Sequence, residues 1–448
     1  MKTNSFNETV TTLAAHREWA TTPLKFTFRR SKRLGNGSEQ LLSIYRDHGV
    51  IPKDSRSDNF NKASDDLSKY QKVDTGDLVV NKMKAWQGSV AISDHTGIIS
   101  PAYFVYRPTL TTGMNARYLH YLLRSGLYFQ HYGSISTGVR PNQWDLDPAA
   151  FERTLLLRPP TAQQAAIADY LDHETAETDA FITDQSRFID LIEERTSVLI
   201  ETIITGKQLG TTLRKESGSA WIGEIPNHWE MERISWLFSN VGSGTTPASD
   251  DVDSFNGTIP WVTSSELRET GVSITKKLVS DEAVRKYSAL RVHPAGSLMI
   301  AMYGATIGRL GWLEVPATVN QAICVFSDYR KGPSRYPFFA LLAARRHLLT
   351  LASGGGQPNI NQDKLRSLRI PIPPEHEQTD IVRSLDKSLR DATQLAREAK
   401  ILIDLARERR AALITAAVTG QIDVTAKNKP AAEQLEDDVA QGLHREYA

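Results

Sequence analysis

Residues 159–207 of this 448-residue chain align without a gap on residues 373–421, at an offset of 214, with 15 identities in 49 pairs. The matches start at Pro159/Pro373, Pro160/Pro374, Gln164/Gln378, Ile167/Ile381, Leu171/Leu385 and Asp172/Asp386. They resume at Ile189/Ile403, Asp190/Asp404, Leu191/Leu405, Glu194/Glu408, Arg195/Arg409, Leu199/Leu413, Thr205/Thr419 and Gly206/Gly420. A repeat outranks any single motif, because whatever the chain folds into must contain two related units.

Each copy predicts one long helix. A Pro-Pro pair stops the preceding strand, Leu155-Leu156-Leu157 in one copy and Leu368-Arg369-Ile370 in the other. Thr161 with Gln164 predicts a capping box, hydroxyl and amide satisfying free backbone N–H groups. Gly206 and Gly420 suit the left-handed position that ends a helix. About 45 residues at 1.5 Å each give roughly 65–70 Å, far beyond a typical globular helix. Such a helix must bury a stripe. Ile182, Ile189, Thr196 and Ile203 recur every seven residues with Gln185, Ile192 and Leu199 between them, an a/d seam. Ile403, Ala406, Leu413 and Ala417 stand at the same phases in the second copy, with Leu395 and Leu402 beside them. The simplest partner for each helix is the other, in an antiparallel coiled coil that would set two globular domains at opposite ends about an approximate two-fold. Packing of each helix on its own domain is the alternative.

The segments before the helices are related more distantly. Gly76-Asp77-Leu78, Ala85, Gly88, Ala102 and Val105 meet Gly296-Ser297-Leu298, Ala305, Gly308, Ala322 and Val325 at an offset of 220. Ser136-Thr-Gly-Val-Arg-Pro-Asn142 matches Ser353-Gly-Gly-Gly-Gln-Pro-Asn359. Short β-rich runs broken by Gly and Pro predict an α/β (α+β) domain with a substantial sheet. The expected organisation is a first domain at 1–158, a long helix at 159–207, a polar linker at 208–220, a second domain at 221–372, a second helix at 373–421 and a tail at 422–448.

Composition narrows the class. A chain of this length exceeds one ordinary core. It has no apolar run long enough to span a bilayer, and its N-terminus lacks the apolar stretch of a signal peptide. A single cysteine, Cys324, excludes an internal disulfide and a Cys-based zinc site, and fits a reducing cytoplasm. The net charge of +1 means that any polyanion must be met by a local patch. Lys25, Arg29, Arg30, Lys32 and Arg33, with Phe26 and Phe28 interleaved, form the densest cationic cluster; a solvated strand face is its plainer reading. Chemistry is not signalled. There is no Gly-Lys-Ser/Thr phosphate loop and no Asn/Asp-Pro-Pro-aromatic motif, and the eleven histidines show no metal-site spacing. Glu398-Ala-Lys400 resembles part of a nuclease motif but lies mid-helix without the matching acid.

Three features together resemble the specificity subunit of type I restriction-modification systems. They are the Ile-Gly-Glu-Ile-Pro-x-x-Trp opening at 222–229, the run Ile370-Pro-Ile-Pro-Pro-Glu-x-Glu-Gln378 leading into a helix with Leu385-Asp386, and the layout of domain, helix, domain, helix. The first domain departs at its start, with Trp19-Ala-Thr-Thr-Pro-Leu in place of the Ile-Pro lead-in. The resemblance implies two target recognition domains, each reading one half of an asymmetric bipartite DNA site, and helices that act as a ruler. It also implies docking of two modification subunits that bind S-adenosylmethionine and methylate adenine, and of motor-nuclease subunits, with ATP and Mg on the partners. This chain itself would be non-catalytic and bind no cofactor or metal.

Residues shared by both domains cannot explain two different half-sites, whereas residues that differ at equivalent places can. Asn142 and Asn359, after matching prolines, belong to the shared group, as phosphate-approaching loop or simple turn. Arg140 and Gln357 differ in kind: Arg favours the acceptors of guanine, Gln the donor–acceptor pair of adenine. Lys82, Lys84, Trp86 and Gln87 stand against Met302, Gly304, Thr306 and Ile307. Lys82 and Lys84 alternate with apolar residues, which predicts one strand face, with solvated lysines as the plainer reading; Trp86 reads as core before it reads as a base-stacking residue. In the second domain Tyr303, Thr306, Arg309, Asn361 and Gln362 are polar enough to read bases, and in the first Arg29 and Arg30 complete the DNA-contacting set. The competing class is a structural adaptor, a duplicated scaffold that assembles enzymes without reading sequence.

Overall fold

The computed structural model describes residues 3–46, 48–55, 66–109, 113–138, 144–210, 213–248, 250–352 and 359–424. Contacts divide the chain into two compact units, residues 1–185 with 401–448 and residues 186–400. Each unit therefore holds one globular domain, the start of the helix that follows it, and the end of the helix from the other repeat.

The domains share one sheet. In the first unit four antiparallel strands run in the order Phe28–Ser31, Tyr103–Pro108, Leu78–Asn81, Val90–Ile92. In the second the order is Phe238–Ser243, Ile323–Tyr329, Leu298–Ala301, Leu310–Leu313, with the short strand Gly271–Val272 added in parallel at the edge. Corresponding strands stand 210 or 220 residues apart. Predominantly antiparallel pairing makes each domain α+β. Alternation along the strands splits the core. In the first unit Phe28, Leu78, Val80, Phe104 and Tyr106 face the large helical core, while Val79, Ala91 and Val105 face a smaller one with Leu42 and Val50. The second unit repeats this, with Leu298, Ile300 and Phe326 on one side and Met299, Val325 and Leu313 on the other.

A second, two-stranded pairing carries each domain into its helix. Ala20–Pro23 pairs with Leu155–Arg158, and Glu230–Arg233 with Arg369–Ile372. Just before these strands stand Trp19 and Trp229. Trp19 Nε1 donates to Gln163 Oε1 at 2.9 Å and Trp229 Nε1 to Glu377 Oε2 at 2.9 Å, corresponding positions of the two long helices. The first domain thus begins as the second does, without the Ile-Pro lead-in.

The long helices are Thr161–Ile204 and Glu375–Val418, 44 residues each. Their starts differ from expectation. Gln164 does not turn back to Thr161; it is buried, Nε2 donating to Pro159 O at 2.7 Å and Oε1 accepting from Asn115 N at 2.8 Å. Gln378 does the same, donating to Pro373 O and Lys331 O and accepting from Tyr329. A buried amide with backbone partners on two sides is fully satisfied there and has nothing left for a cap. Repeated acids complete the anchorage: Asp172 accepts from Arg117 and Tyr121, and Asp386 from Arg335 at 2.5 Å.

In the first unit the helices run antiparallel. Ile167, Ala168 and Leu171 share a core with Leu413, Ala417 and Val418, and Asp179 Oδ2 accepts from Arg410 at 3.2 Å. In the second, Ile200 and Ile204 share a core with Ile381 and Leu385. Ile182, Gln185, Ile189, Ile192, Thr196, Leu199 and Ile203 are all half-buried, as the seam requires, and Ile403, Leu413 and Ala417 are buried. Leu395 and Leu402 lie outside the seam and are exposed. Pairing with the other helix and packing on the helix's own domain thus both occur.

The helix ends are fixed by glycine. Gly206 (φ +67°) and Gly420 (φ +72°) adopt the left-handed conformation, and a Cβ on either would sit 2.6 Å from Pro226 or 2.7 Å from the Trp19 ring. Gly420→Ala is expected to cost about 1–3 kcal/mol through strain and overpacking, read as a lower thermal midpoint with unchanged helix content; an unaltered midpoint would contradict this junction.

Candidate nucleic-acid interface

In each domain the loop after the third strand of the sheet order meets the segment that precedes the short helix before the long one. In the first domain Asn81 Oδ1 accepts from Met83 N at 3.0 Å, turning the chain into a single 3-10 turn, Ala85–Gln87, closed by Gly88 at φ +91° under the Phe129 ring. Lys82 and Lys84 therefore lie in a turn and share no strand face. Alternation suggested a strand, but the side-chain turn of Asn81 and the left-handed Gly88 override it. Lys84 and Gln87 are exposed; Trp86 is half-buried on Trp144 at 5.1 Å between ring centroids, its Nε1 donating to Met83 O.

Lys82 is half-buried. Its Nζ donates to Pro101 O at 2.5 Å, and its backbone carbonyl accepts from Leu146 N at 2.9 Å. Strand pairing brings Arg30 beside it: Arg30 Cζ lies 4.2 Å and Lys82 Nζ 5.0 Å from the centroid of Phe104. Burial, then the positive charges of Arg30 and Lys32, lower the Lys82 pKa against the opposing pull of Asp145. The result is a cationic cluster over an aromatic ring. Arg29, the next residue in the strand, faces the other side of the sheet opposite Arg107.

The second domain repeats the backbone with other side chains. Met302 O accepts from Ile360 N at 2.8 Å, as Lys82 O does from Leu146 N, and Tyr303 bridges to Asn359. Asn361 caps the helix Gln362–Ser367 by accepting from Lys364 N, as Asp147 caps Pro148–Glu152. Asn361 is thus occupied with the backbone, and Gln362 turns inward to Cys324 Sγ at 3.8 Å. Burial pushes the Cys324 thiol up to about 12, which leaves it protonated. Arg309 shares Glu269 with Arg345, whose Nε donates to Gly308 O at 2.9 Å. Half-buried Tyr303 and Thr306 and exposed Asn359 remain grouped at this turn. Burial raises the Tyr303 pKa, so its hydroxyl stays a donor. Arg140, Asn142 and Gln357 lie outside the described residues.

Phe104, Asp145 and Trp144 escaped sequence reasoning, although the repeat offsets carried a signal. By strand register Arg30, Lys82 and Phe104 correspond to Val241, Met302 and Cys324, so a cationic cluster in one domain has a neutral counterpart in the other. His173, Glu174 and Glu177 bring ligand-type atoms within 4.8 Å on the central helix, where His173 and Glu177 pair at 3.4 Å as neighbours one turn apart. Among the described residues no helix is long and apolar enough to cross a membrane.

The two domains repeat one design, and the chain is similar to known proteins. Residues 226–404 match the type I restriction modification DNA specificity domain. The Escherichia coli type I restriction enzyme EcoR124I/EcoR124II specificity subunit is 29% identical over 213 residues, 45% of this chain and 51% of that one, so the alignment spans about half of that relative. The Methanocaldococcus jannaschii MjaVIII specificity subunit is 24% identical over 386 residues, 80% of this chain and 83% of that one. A solved structure described as the basis of complex assembly and conformational transition of the type I R-M system shares the fold, with a TM-score of 0.63 at 16% identity, covering 90% of this chain and 98% of that one. Over these spans the chain is similar to type I restriction enzyme specificity subunits.

Proposed function

We propose that this chain selects the DNA target of a type I restriction-modification complex, each domain reading one half of an asymmetric bipartite site. The observation that carries this reading is one backbone built twice with different chemistry: Arg30, Lys82 and Phe104 in the first domain, Val241, Met302 and Cys324 in the second. An adaptor has no use for that contrast at matching positions. The cationic cluster suits phosphate or a guanine edge, whereas Tyr303, Thr306 and Asn359 offer neutral hydrogen-bonding groups to the other half-site. Arg29, Lys84, Gln87, Arg140, Asn142 and Gln357 complete the proposed contact set, and Arg309 contributes the charge that Glu269 leaves over.

Methylation and cleavage belong, on this reading, to partners that carry S-adenosylmethionine, ATP and Mg. Support for two copies of one modification partner comes from the helices. Phe181/Leu395, Phe188/Leu402 and Leu191/Leu405 are equivalent in the repeat, and all six are exposed. Apolar side chains kept in water at matching places fit two equivalent docking stripes.

Inserting four residues, one helical turn, at matching points of both long helices is expected to lengthen the spacer of the methylated site while leaving both half-sites unchanged. An unchanged spacer in an active complex would refute the ruler. Lys82→Met, which installs the residue of the second domain, is expected to lower the slope of log affinity against log salt by about one. An unchanged slope would remove Lys82 from the DNA contacts.

A further inference from the structure

The two domains expose one feature in common that neither DNA reading nor the helix stripes use. After the strand that follows Trp19 or Trp229, the chain makes one tight turn before entering the main sheet, at Leu24–Thr27 in the first domain and Ile234–Trp236 in the second. The turns are entered through the same hydrogen bond, although the first closes as an α-turn and the second as a 3-10 turn. Leu24 N donates to Thr154 O and Ile234 N to Leu368 O, both at 2.9 Å. Leu24 and Ile234 are fully buried, as are Phe28 and Phe238 on the far side, so the turn is held rigidly at both ends. At its apex stand Phe26 and Trp236, 62% and 65% exposed. Each carries a cation on its ring: Lys25 Nζ lies 5.1 Å from the Phe26 centroid and Arg233 Cζ 5.3 Å from that of Trp236. Neither cation has an acidic partner among the described residues.

A lone exposed aromatic needs no explanation. Two at matching places do, because the flanking sequence has diverged around them: Lys25 corresponds to Ser235 in the turn, and Arg29 and Arg30 correspond by strand register to Asn240 and Val241. A DNA backbone would meet a strongly basic surround at one knob and a neutral one at the other, so phosphate does not account for what is shared. What is shared is a large aromatic with one unpaired cation against it, on a rigid turn, once per domain. That fits a protein surface presented twice, with an apolar socket for the ring and an acidic rim for the cation.

We propose that Phe26 and Trp236 are matching anchor points for two copies of the modification partner, each copy gripping a recognition domain as well as the helices. The inference rests on the reading that the chain assembles with two such partners. The test uses the full chain co-expressed with its modification partner, comparing wild type, Phe26→Ser, Trp236→Ser and the double variant by native mass spectrometry and by titration of the second partner copy. The expected result is that each single variant weakens one of the two partner sites about tenfold, that the double variant weakens both, and that the thermal midpoint of the isolated chain does not move. Lys25→Glu and Arg233→Glu should weaken the same sites without removing a ring, which keeps the test valid should a ring variant fold poorly. Unchanged partner affinity in all variants overturns the proposal, as does a loss of DNA affinity with assembly intact, which would assign the knobs to DNA. A wild-type chain that forms no complex with two partners would overturn the underlying reading instead.

Discussion

The junction of a tryptophan, a helix start and a helix end is the contact on which the rest of this molecule depends. In the first unit Trp19 donates to Gln163 at the start of the central helix while Gly420, at the end of the C-terminal helix, lies against the same ring. In the second, Trp229 donates to Glu377 and Gly206 packs beside Pro226 and the same indole. Each domain is therefore closed by a helix end that belongs, in sequence, to the other repeat. A Cβ in place of a glycine hydrogen would clash at this contact, which explains why Thr-Gly ends both helices. The buried Thr205 and Thr419 hydroxyls return to the carbonyls of Glu201 and Thr415 and finish the turn without exposed donors.

From that junction the functional surface follows by pairing. The strand after each tryptophan binds the strand that runs into the Pro-Pro pair, and the next turn feeds the edge of the main sheet. The sheet then carries the loop with Lys82 or Met302 to the segment with Leu146 or Ile360 through one shared backbone hydrogen bond. Backbone geometry is thus held constant while side chains vary, the condition on which the proposed reading of two different half-sites rests.

The elements legible in sequence were those with a period. Ile182 to Ile203 announce a seam every seven residues, and the half-burial of that row follows directly. The misreadings arose where a local pattern competed with tertiary contacts. Thr161 and Gln164 have capping-box spacing, yet Gln164 is drawn into the domain by Asn115 and Pro159. Lys82 and Lys84 alternate like a strand, yet Asn81 and Gly88 bend them into a turn. Leu395 and Leu402 look like core, yet stand in water. The cationic cluster on Phe104 was out of reach because Arg30, Lys82 and Phe104 meet only once strands far apart in sequence have paired. The equivalence of Trp19 and Trp229 was hidden by the missing Ile-Pro lead-in.

The central claim is that this one chain sets the DNA sequence on which its partners act. The most direct measurement is a map of adenine methylation in host DNA with the gene intact and deleted, the neighbouring modification gene being present in both. The account predicts one asymmetric motif of two half-sites and a fixed spacer, methylated only when the gene is intact. Identical maps in the presence of an active modification subunit would contradict it.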